Sequence, residues 1–444
     1  MPELFGVKAS YNEIMLIQIR LNHWLLPIML AAAILQEFLD PARVWKILLI
    51  GLGGTLLVGW VWSLSLARHL RLLRELRYGW AQVGDALEER LTLTNQASFP
   101  ATWVEIEDHS TLPGYRASLA TITDSHSVNT LTTGGVCQRR GLYLLGGTRL
   151  LTGDPLGIFT VTMDDPASRT LLVLPPVIPL PEILLTPGGY LGEGRPRERA
   201  REETVHAISI REYRPGDALR HIHWPSTAKF DRLITRQFES HPASDRWILL
   251  DLNQHVQAGT GADSTTEHAI ILSASLIDRE LRNRQAVGLA INGAPPRWLP
   301  ASRNEPQRWQ LLHALALAEP GMCSLKDFLL HGSQSLGRHA SLVIISASTE
   351  TDWLQALAAL LWRGISPTVL LLDAASFGKS GSSLPLCQEL QRLGVACQII
   401  PRDLLDRPEA HPGHSGRWEW QQSRITGKVT TLQRPEQTEW HRLT

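Results

Sequence analysis

The chain has 444 residues, enough for two or three domains with cores of their own. Its 43 basic and 43 acidic side chains give a formal net charge of zero, so no overall positive field would attract nucleic acid. The four cysteines include no Cys-x-x-Cys pair, which argues against structural zinc and thioredoxin-like chemistry. Cys387 and Cys397 are close in sequence, but we expect both to be buried free thiols.

Two apolar segments near the N-terminus are typical of membrane helices. Residues 47–67 are uncharged, and about 20 such residues span the hydrocarbon core of a bilayer. Residues 21–38 form a second segment, interrupted by Pro27, that reaches spanning length only by including polar residues at its ends. We predict that both segments span as a hairpin; a re-entrant or interfacial first segment is the alternative.

Basic residues after the second apolar segment set the expected orientation. Arg68, Arg71, Arg74 and Arg77 follow it, whereas the hairpin loop carries mixed charges. The positive-inside rule then places both termini and the bulk of the chain in the cytoplasm, with the anchor in the inner (plasma) membrane. Within a membrane region of residues 1–79, we predict that residues 68–77 continue as a juxtamembrane amphipathic helix or serve as a simple stop-transfer flank.

Residues 80–174 have the pattern of a small β-sandwich. Short alternating segments are separated by turn residues, and Gly146-Gly147 is predicted to be the turn of a hairpin. Asp154-Pro155 is interpreted as an ordinary turn opener rather than a catalytic site. Residues 175–207, rich in proline, glycine and arginine, predict an exposed mobile linker.

A segment dense in charged and aromatic residues, residues 208–239, follows this linker. We predict that Asp217 caps a short helix that ends at Trp224-Pro225. Two interpretations stay open. In the first, charged side chains converge on an anion or on a partner's carboxylates. In the second, Asp217 pairs with Arg211 or Arg220 in a buried knot around Trp224.

The order Arg-x-Tyr-x-x-Gly-Asp-x-x-Arg-x-Ile-His-Trp-x-x-Thr-Ala-Lys resembles the signature of the domain of unknown function family 58. The matching residues are Arg211, Tyr213, Gly216, Asp217, Arg220, Ile222, His223, Trp224, Thr227, Ala228 and Lys229. The resemblance implies two N-terminal membrane helices, a β-rich domain, and a von Willebrand A-like α/β domain. It also implies a partner class, the MoxR-type AAA+ ATPases, and a role in assembly or maturation of protein complexes. The family has no established reaction.

Residues 208–405 combine this motif with apolar strands that alternate with helices. Such alternation predicts a doubly wound parallel sheet covered on both faces. Ligands of such sheets bind at the carboxyl ends of the strands, where Asp251 is expected. A von Willebrand A domain has Asp-x-Ser-x-Ser there to hold Mg²⁺, but this chain has Asn253 and His255 at the serine positions. Asp251 and Asn253, with Asp373 as a further candidate, are an incomplete ligand set, so we expect no cofactor.

The favoured function is a non-enzymatic adaptor or scaffold. One alternative is an anion- or nucleotide-sensing module that uses Arg211, Arg220 and Lys229. Another is a hydrolase with Asp217, His223 and Asp251 as an acid/base set, although no nucleophile elbow, Walker A loop or HExxH motif supports it. In the C-terminal tail, residues 406–444, residues 417–431 predict a β-hairpin or an exposed extension.

The predicted orientation can be tested with reporter fusions. Because arginines follow the second apolar segment, a reporter at the C-terminus should be active only if it functions in the cytoplasm. A periplasm-only reporter that is active there would contradict the prediction.

Overall fold

The computed structural model describes most of the chain, which divides into two compact units. One unit comprises Met1–Pro179, Leu312–Leu317 and Asp406–Thr444, and the other comprises Leu180–Leu311 and Ala318–Leu405. The described residues are 16–76, 79–180, 183, 185–186, 207–213, 222–238, 245–303, 305–337, 340–379, 381–404, 420–422, 429–431 and 441–443.

A helical hairpin begins and ends in the same β-domain. Strand β1 (Leu16–Leu21) precedes helices α1 (Leu25–Leu39) and α2 (Arg43–His69), and strand β2 (Leu70–Leu76) follows them. β1 pairs with a strand of one sheet of this domain, and β2 lies in the other sheet. The chain therefore leaves and re-enters one domain, as expected for a hairpin whose two ends lie on the same side of a membrane.

The two helices differ in length. α2 has 27 residues and is long and apolar enough to cross a membrane, whereas α1 has only 15. A helix of that length is about 22 Å long, less than the roughly 30 Å hydrocarbon core. The last third of α2 is buried against the β-domain through Ser63, Leu66 and Ala67.

The predicted juxtamembrane helix at residues 68–77 is wrong, because α2 ends at His69 and the next seven residues form strand β2. Leu70, Leu72, Arg74 and Leu76 alternate with more exposed neighbours, which is the period of a strand rather than of a helix. The helical interpretation counted Arg74 as a solvent-facing charge, but this side chain points into the domain.

Two sheets face each other in the β-domain, as predicted for a sandwich. The remaining strands are β3 (Trp80–Gln82), β4 (Ala86–Asn95), β5 (Ala101–Asp108), β6 (Leu119–Thr123), β7 (Ser127–Val136), β8 (Gly141–Gly153), β9 (Phe159–Leu174) and the C-terminal β20 (His441–Arg442). One sheet has the order β1-β9-β8-β5-β6, with β3 beside β9, and the other has β20-β2-β4-β7. The apolar core between them includes Leu91, Ile106 and Met163.

The hairpin turn predicted at Gly146-Gly147 is wrong, because strand β8 passes through both glycines. The register of β8 against β9 shifts between Gly146 and Thr148, as in a β-bulge. Both glycines have positive φ, 112° and 69°, and a Cβ at Gly146 would clash with the carbonyl oxygen of Ala167. Glycine pairs serve bulges as well as turns.

A buried ion-pair network joins the two sheets. Arg74 of β2 donates Nε to Glu89 Oε1 at 2.6 Å and Nη1 to Asp108 Oδ1 at 2.7 Å. Nη1 also donates to the Thr148 hydroxyl at 2.6 Å, and the Tyr115 hydroxyl donates to Glu89. Burial alone would raise the pKa of Asp108, but the Arg74 guanidinium and further hydrogen bonds hold that pKa below its ordinary value.

The second unit contains a doubly wound sheet of order β14-β13-β12-β15-β16-β17. Its strands are β12 (Arg246–Asp251), β13 (Val287–Asn292), β14 (Arg297–Ser302), β15 (Ser341–Ser346), β16 (Ser366–Leu372) and β17 (Ala396–Ile400). The helices are α4 (Thr265–Arg282), α6 (Leu325–Gly332), α7 (Leu354–Trp362) and α8 (Leu384–Arg392), with short 3₁₀ helices at Gly261–Asp263, Ser333–Ser335, Ala374–Phe377 and Arg402–Leu404. Helix α5 (Glu305–Ala316) begins in this unit, and its residues from Leu312 on belong to the other unit. The edge strand β14 is antiparallel to β13, so the prediction of a wholly parallel sheet is wrong for this one strand.

Part of the predicted mobile linker is docked on the α/β domain. The Ser341 hydroxyl donates to the Thr186 carbonyl at 2.9 Å, and the Thr186 amide donates to the Thr368 hydroxyl at 3.0 Å. Ile183 is buried. These residues hold the linker at the amino ends of β15 and β16, so the expectation of an exposed tether is wrong for this stretch.

Cys387 and Cys397 form a disulfide, with their Cα atoms 5.6 Å apart, so the expectation of two free thiols is wrong. Cys387 lies in α8 and Cys397 in β17, and the short connection between these elements brings the two side chains together. In the tail, strands β18 (Trp420–Gln422) and β19 (Val429–Thr431) pair antiparallel, which confirms the predicted hairpin.

Substitution of Arg74 tests the network between the sheets. Arg74→Met leaves two buried carboxylates without their cation and should lower the unfolding free energy by about 3–5 kcal/mol. Arg149→Met is the matched control, because Arg149 also binds a carboxylate (Asp164, 2.7 Å) but is 43% exposed. An exposed pair is worth only about 0–1 kcal/mol. Equal losses in chemical denaturation of the detergent-solubilised chain would contradict the structural role.

Candidate functional site

The family motif forms a β-hairpin with a short helix between its strands. Strand β10 (Ala207–Glu212) pairs antiparallel with β11 (Ile234–Phe238), and helix α3 (Trp224–Phe230) lies between them in sequence. Trp224-Pro225 therefore begins a helix, whereas the sequence predicted that it ends one. Proline is favoured in the first turn of a helix, because its missing N–H would have no partner there and its φ is already helical.

Two motif residues fix the position of α3. His223 Nδ1 is hydrogen-bonded to the Ser226 hydroxyl at 2.7 Å, and the Thr227 amide donates to the His223 carbonyl at 2.9 Å. The Thr227 hydroxyl accepts the Ile234 amide at 3.1 Å, which ties the helix to β11. The helix ends at Asp231, whose left-handed φ of 50° turns the chain back. His223 and Thr227 are thus structural residues of the motif.

The motif exposes three large apolar side chains and two basic ones. Trp224 is 65% exposed, Phe230 49% and Leu233 42%, and α3 has no buried residue. Lys229 is also exposed, with its Nζ 5.7 Å from the centre of the Phe230 ring. Arg232 is 59% exposed, and its Nη1 lies 3.7 Å from the carboxylate of the exposed Glu212. We call Trp224, Lys229, Phe230, Arg232 and Leu233 the motif surface. The hypothesis that Trp224 is a buried anchor is wrong, because most of its side chain contacts solvent.

The first two motif residues, Arg211 and Tyr213, lie in strand β10 and directly after it. Arg211 lies in β10 opposite Thr235, and the half-buried Tyr213 donates its amide to the Leu233 carbonyl at 2.9 Å. Gly216, Asp217 and Arg220 lie outside the described residues. The pairing of Asp217 with Arg211 or Arg220 therefore stays a prediction.

Asp251 is at the end of the central strand, as predicted, in a site made by three neighbouring strand ends. Asp251 Oδ1 accepts the Asn253 amide at 3.1 Å and Asn292 Nδ2 at 2.9 Å. Oδ2 accepts the Ser346 hydroxyl at 2.6 Å. Asn292 ends β13 and Ser346 ends β15, so the three side chains meet where the strand order reverses.

Burial dominates the electrostatics of this aspartate, which is 1% exposed. The pKa of Asp251 is raised above its ordinary value by burial and, to a lesser extent, by the nearby Asp352 carboxylate. Hydrogen bonds from Ser346, Asn253 and Asn292 oppose this shift without cancelling it.

The side chains around Asp251 do not fit a Mg²⁺ ion. Asn253 Oδ1, the second predicted ligand, accepts the His255 amide at 3.0 Å, as expected for a turn-forming asparagine. Asp373 follows β16, which is separated from β12 by β15 and is therefore about 10 Å away across the sheet. Among the described residues no group of three His, Cys, Asp or Glu side chains is placed to hold a metal. Mg²⁺ prefers several oxygen ligands in octahedral geometry, and both carboxylate oxygens of Asp251 already accept hydrogen bonds from protein donors.

Sequence reasoning missed Asn292 and Ser346 as partners of Asp251. A signal for both was present, because each is the last residue of an apolar strand and the carboxyl ends of neighbouring parallel strands meet at one edge. It also missed Phe230 and Arg232, which lie outside the matched motif positions. Both lie at or just after the C-terminal end of α3, and no spacing rule would have shown that their side chains are exposed there.

The strand order, the antiparallel edge strand and the aspartate on the central strand define a doubly wound α/β domain, in a chain with an apolar helical hairpin. Residues 209–374 match the family described as Protein of unknown function DUF58, which confirms the resemblance predicted from the motif. A relative from Bacillus subtilis (strain 168), Uncharacterized protein YeaD, is 23% identical over 307 residues, covering 65% of this chain and 72% of its own.

Two solved structures show weaker likenesses. The SpRpn10 VWA domain has 14% identity and a TM-score of 0.27, covering 39% of this chain and 98% of its own. The CARDB domain of a Pyrococcus furiosus protein, solved in complex with di-metal ions, has 10% identity and a TM-score of 0.18, covering 24% of this chain and 94% of its own. Scores this low add nothing to the topology that the strands themselves define.

The raised pKa of Asp251 predicts a pH-dependent contribution to stability. The folded chain holds this proton more tightly than the unfolded chain. The resulting stability is present below the ordinary Asp pKa of about 4 and is lost as the pH rises through the raised value. Asp251→Asn cannot titrate, so its unfolding free energy relative to the wild type should increase as the pH rises. Urea unfolding across pH 4–8 measures this difference, and a constant difference would contradict the prediction.

Proposed function

We propose that this protein is a membrane-anchored adaptor whose motif surface binds a protein partner. We further propose that the partner is a MoxR-type AAA+ ATPase, acting in assembly or maturation of protein complexes. The observation that carries the proposal is the exposure of Trp224, 65%, on a helix with no buried residue. The ATPase as partner rests on the family resemblance, and no contact in the structure identifies it.

The composition of the motif surface favours protein binding. Trp, Tyr and Arg are enriched among the residues that dominate binding energy at protein interfaces. Trp224, Phe230 and Leu233 supply apolar area, Lys229 supplies a positive charge, and Arg232 forms an exposed ion pair with Glu212. A tryptophan ring with most of its area in water contributes little to folding, so the packing of this domain gives no reason for a tryptophan there.

The anchor in this proposal is the helical hairpin. α2 is long and apolar enough to cross a membrane, and the apolar side chains Ile47, Ile50, Leu57 and Val58 are exposed on it. Exposed apolar residues over such a length are expected where lipid replaces water. The cytoplasmic orientation of the two domains is part of the proposal and rests on the arginines that follow α2.

The hydrolase hypothesis gains no support from the geometry. Both oxygens of Asp251 accept hydrogen bonds from protein donors, and its side chain is buried at the end of β12. His223 is hydrogen-bonded to Ser226 at the start of α3. We therefore favour binding over catalysis.

Binding by the motif surface can be tested with Trp224→Ala. Removing a central tryptophan at an interface typically costs 2 kcal/mol or more, which is about a 30-fold weaker dissociation constant. The measurement is biolayer interferometry between the detergent-solubilised chain and the purified MoxR-type ATPase of the same organism, with ATP and with ADP. Melting temperatures of wild type and variant should agree, because the ring is outside the core.

Trp362→Ala is the matched control for this experiment. Trp362 is 92% exposed at the end of α7, so its loss removes an equally large surface ring away from the motif. We expect it to bind like the wild type. Equal affinities for Trp224→Ala and Trp362→Ala would exclude the motif surface as the binding site, and absence of any binding by the wild type would exclude this ATPase as the partner.

A further inference from the structure

One turn of the β-domain contacts the hairpin where both helices join the domain. The Asn22 amide, just before α1, donates to the Ile158 carbonyl at 2.9 Å, and Asn22 Nδ2 donates to the Gly157 carbonyl at 2.8 Å. On the other side, a Cβ placed on Gly59 of α2 would lie 3.5 Å from the Asp154 carboxyl carbon. The turn at residues 154–159 is therefore in contact with the start of α1 and with the point where α2 enters the domain.

The turn is rigid and presents a leucine at its tip. Asp154 is 1% exposed, and its carboxylate accepts the amides of Leu156 (3.0 Å), Ile158 (3.2 Å) and Phe159 (2.6 Å). Gly157, with φ of 68°, permits the tight turn. Leu156 is nevertheless 70% exposed. The buried Asp154 carboxylate thus fixes the backbone of the turn, and the apolar side chain at its tip, Leu156, lies outside the core.

Two tryptophans lie at the same end of the β-domain. Trp24 is 69% exposed at the start of α1, two residues after Asn22 in the chain, and Trp60 is 46% exposed, next to Gly59 in α2. Tryptophan is enriched at the boundary between lipid headgroups and acyl chains, because its ring is apolar and its N–H is polar. We call Trp24, Trp60 and Leu156 the interfacial collar.

The length of the apolar part of α2 also places this end of the β-domain at the membrane surface. The apolar part of α2 that precedes Gly59, from Ile47 to Val58, is about 18 Å long at 1.5 Å per residue. The hydrocarbon core of a bilayer is about 30 Å thick, so residues from Gly59 onward must also lie near or within the boundary region if α2 spans it. Apolar side chains of interfacial elements enter that region by about 5–10 Å, which places the β-domain turn beside Gly59 at the bilayer surface.

We propose that the interfacial collar inserts into the membrane surface and holds the β-domain against the bilayer. The partner is a lipid surface, and the inference rests on the membrane anchoring put forward as part of the proposed function. The collar extends the contact of the hairpin with lipid to a turn that comes about 100 residues later in the chain. The β-domain is then fixed directly on the membrane rather than tethered to it.

Site-specific fluorescence in vesicles tests this inference. Leu156→Cys is introduced into the full chain carrying Cys323→Ser, because Cys137 is buried and Cys387 and Cys397 are paired. The new thiol carries an environment-sensitive fluorophore, and the protein is reconstituted in phosphatidylcholine–phosphatidylglycerol vesicles with nitroxide-labelled lipids. The fluorescence of the label at position 156 should be several-fold lower in vesicles that carry a nitroxide near the headgroup than in vesicles without nitroxide.

Two control positions separate failure of the inference from failure of the anchor. Leu142→Cys is the matched negative control, since Leu142 is 56% exposed but lies at the other end of β8, about 35 Å along the strand from Gly153. Val58→Cys, 57% exposed on α2, reports the anchor. Quenching at 58 and 156 but not at 142 supports the collar. Quenching at position 58 alone would contradict insertion of the interfacial collar and would leave the membrane anchor supported. If the label at position 58 is not quenched, both the membrane anchor and the interfacial collar are wrong.

Discussion

The buried guanidinium of Arg74 links the hairpin, both sheets and the C-terminal residues of the β-domain. Its strand, β2, continues directly from α2, and its partners Glu89, Asp108 and Thr148 come from strands of both sheets. The Arg74 carbonyl accepts the amide of Leu443, which packs in the same core. A charge that is costly to bury is satisfied here only when strands of both sheets are in place, so the network specifies how the sheets are arranged as well as stabilising them.

Arg74 also shows why part of the fold escaped prediction from sequence. Arginines after an apolar helix have the same pattern whether they face lipid headgroups or enter a domain. Arg74 enters the domain because Glu89, Asp108 and Thr148 bind it there, and these three residues are distant from it in sequence. Local patterns did predict the short strands of the sandwich and the alternation of apolar strands with helices in the α/β domain, because apolar runs and flanking turns are contained in a few residues. The antiparallel strand β14 was missed, since its residues have a weak apolar pattern and its pairing is set by β13.

In the candidate sites, too, local sequence patterns predicted some features, and contacts between distant residues decided the others. The family motif could be recognised from fixed residues, and Asp251 could be placed from the rule on strand ends. The burial of Trp224 could not be predicted, because a tryptophan among charges fits a core knot and an exposed surface equally well. Only the tertiary structure shows that α3 has no buried residue and leaves the ring in solvent. The site around Asp251, by contrast, is a structural junction of three strands rather than a surface open to partners.

The pairing of β1 with β9 and of β20 with β2 has a consequence for synthesis. β1 emerges from the ribosome before the hairpin, but its partner β9 follows more than a hundred residues later. The position beside β2 is filled only when residues 441–442 have been made. Long-range strand pairs of this kind form slowly and leave open edges while they wait. The β-domain therefore starts to form first and closes last, after the whole α/β domain between its segments has been translated.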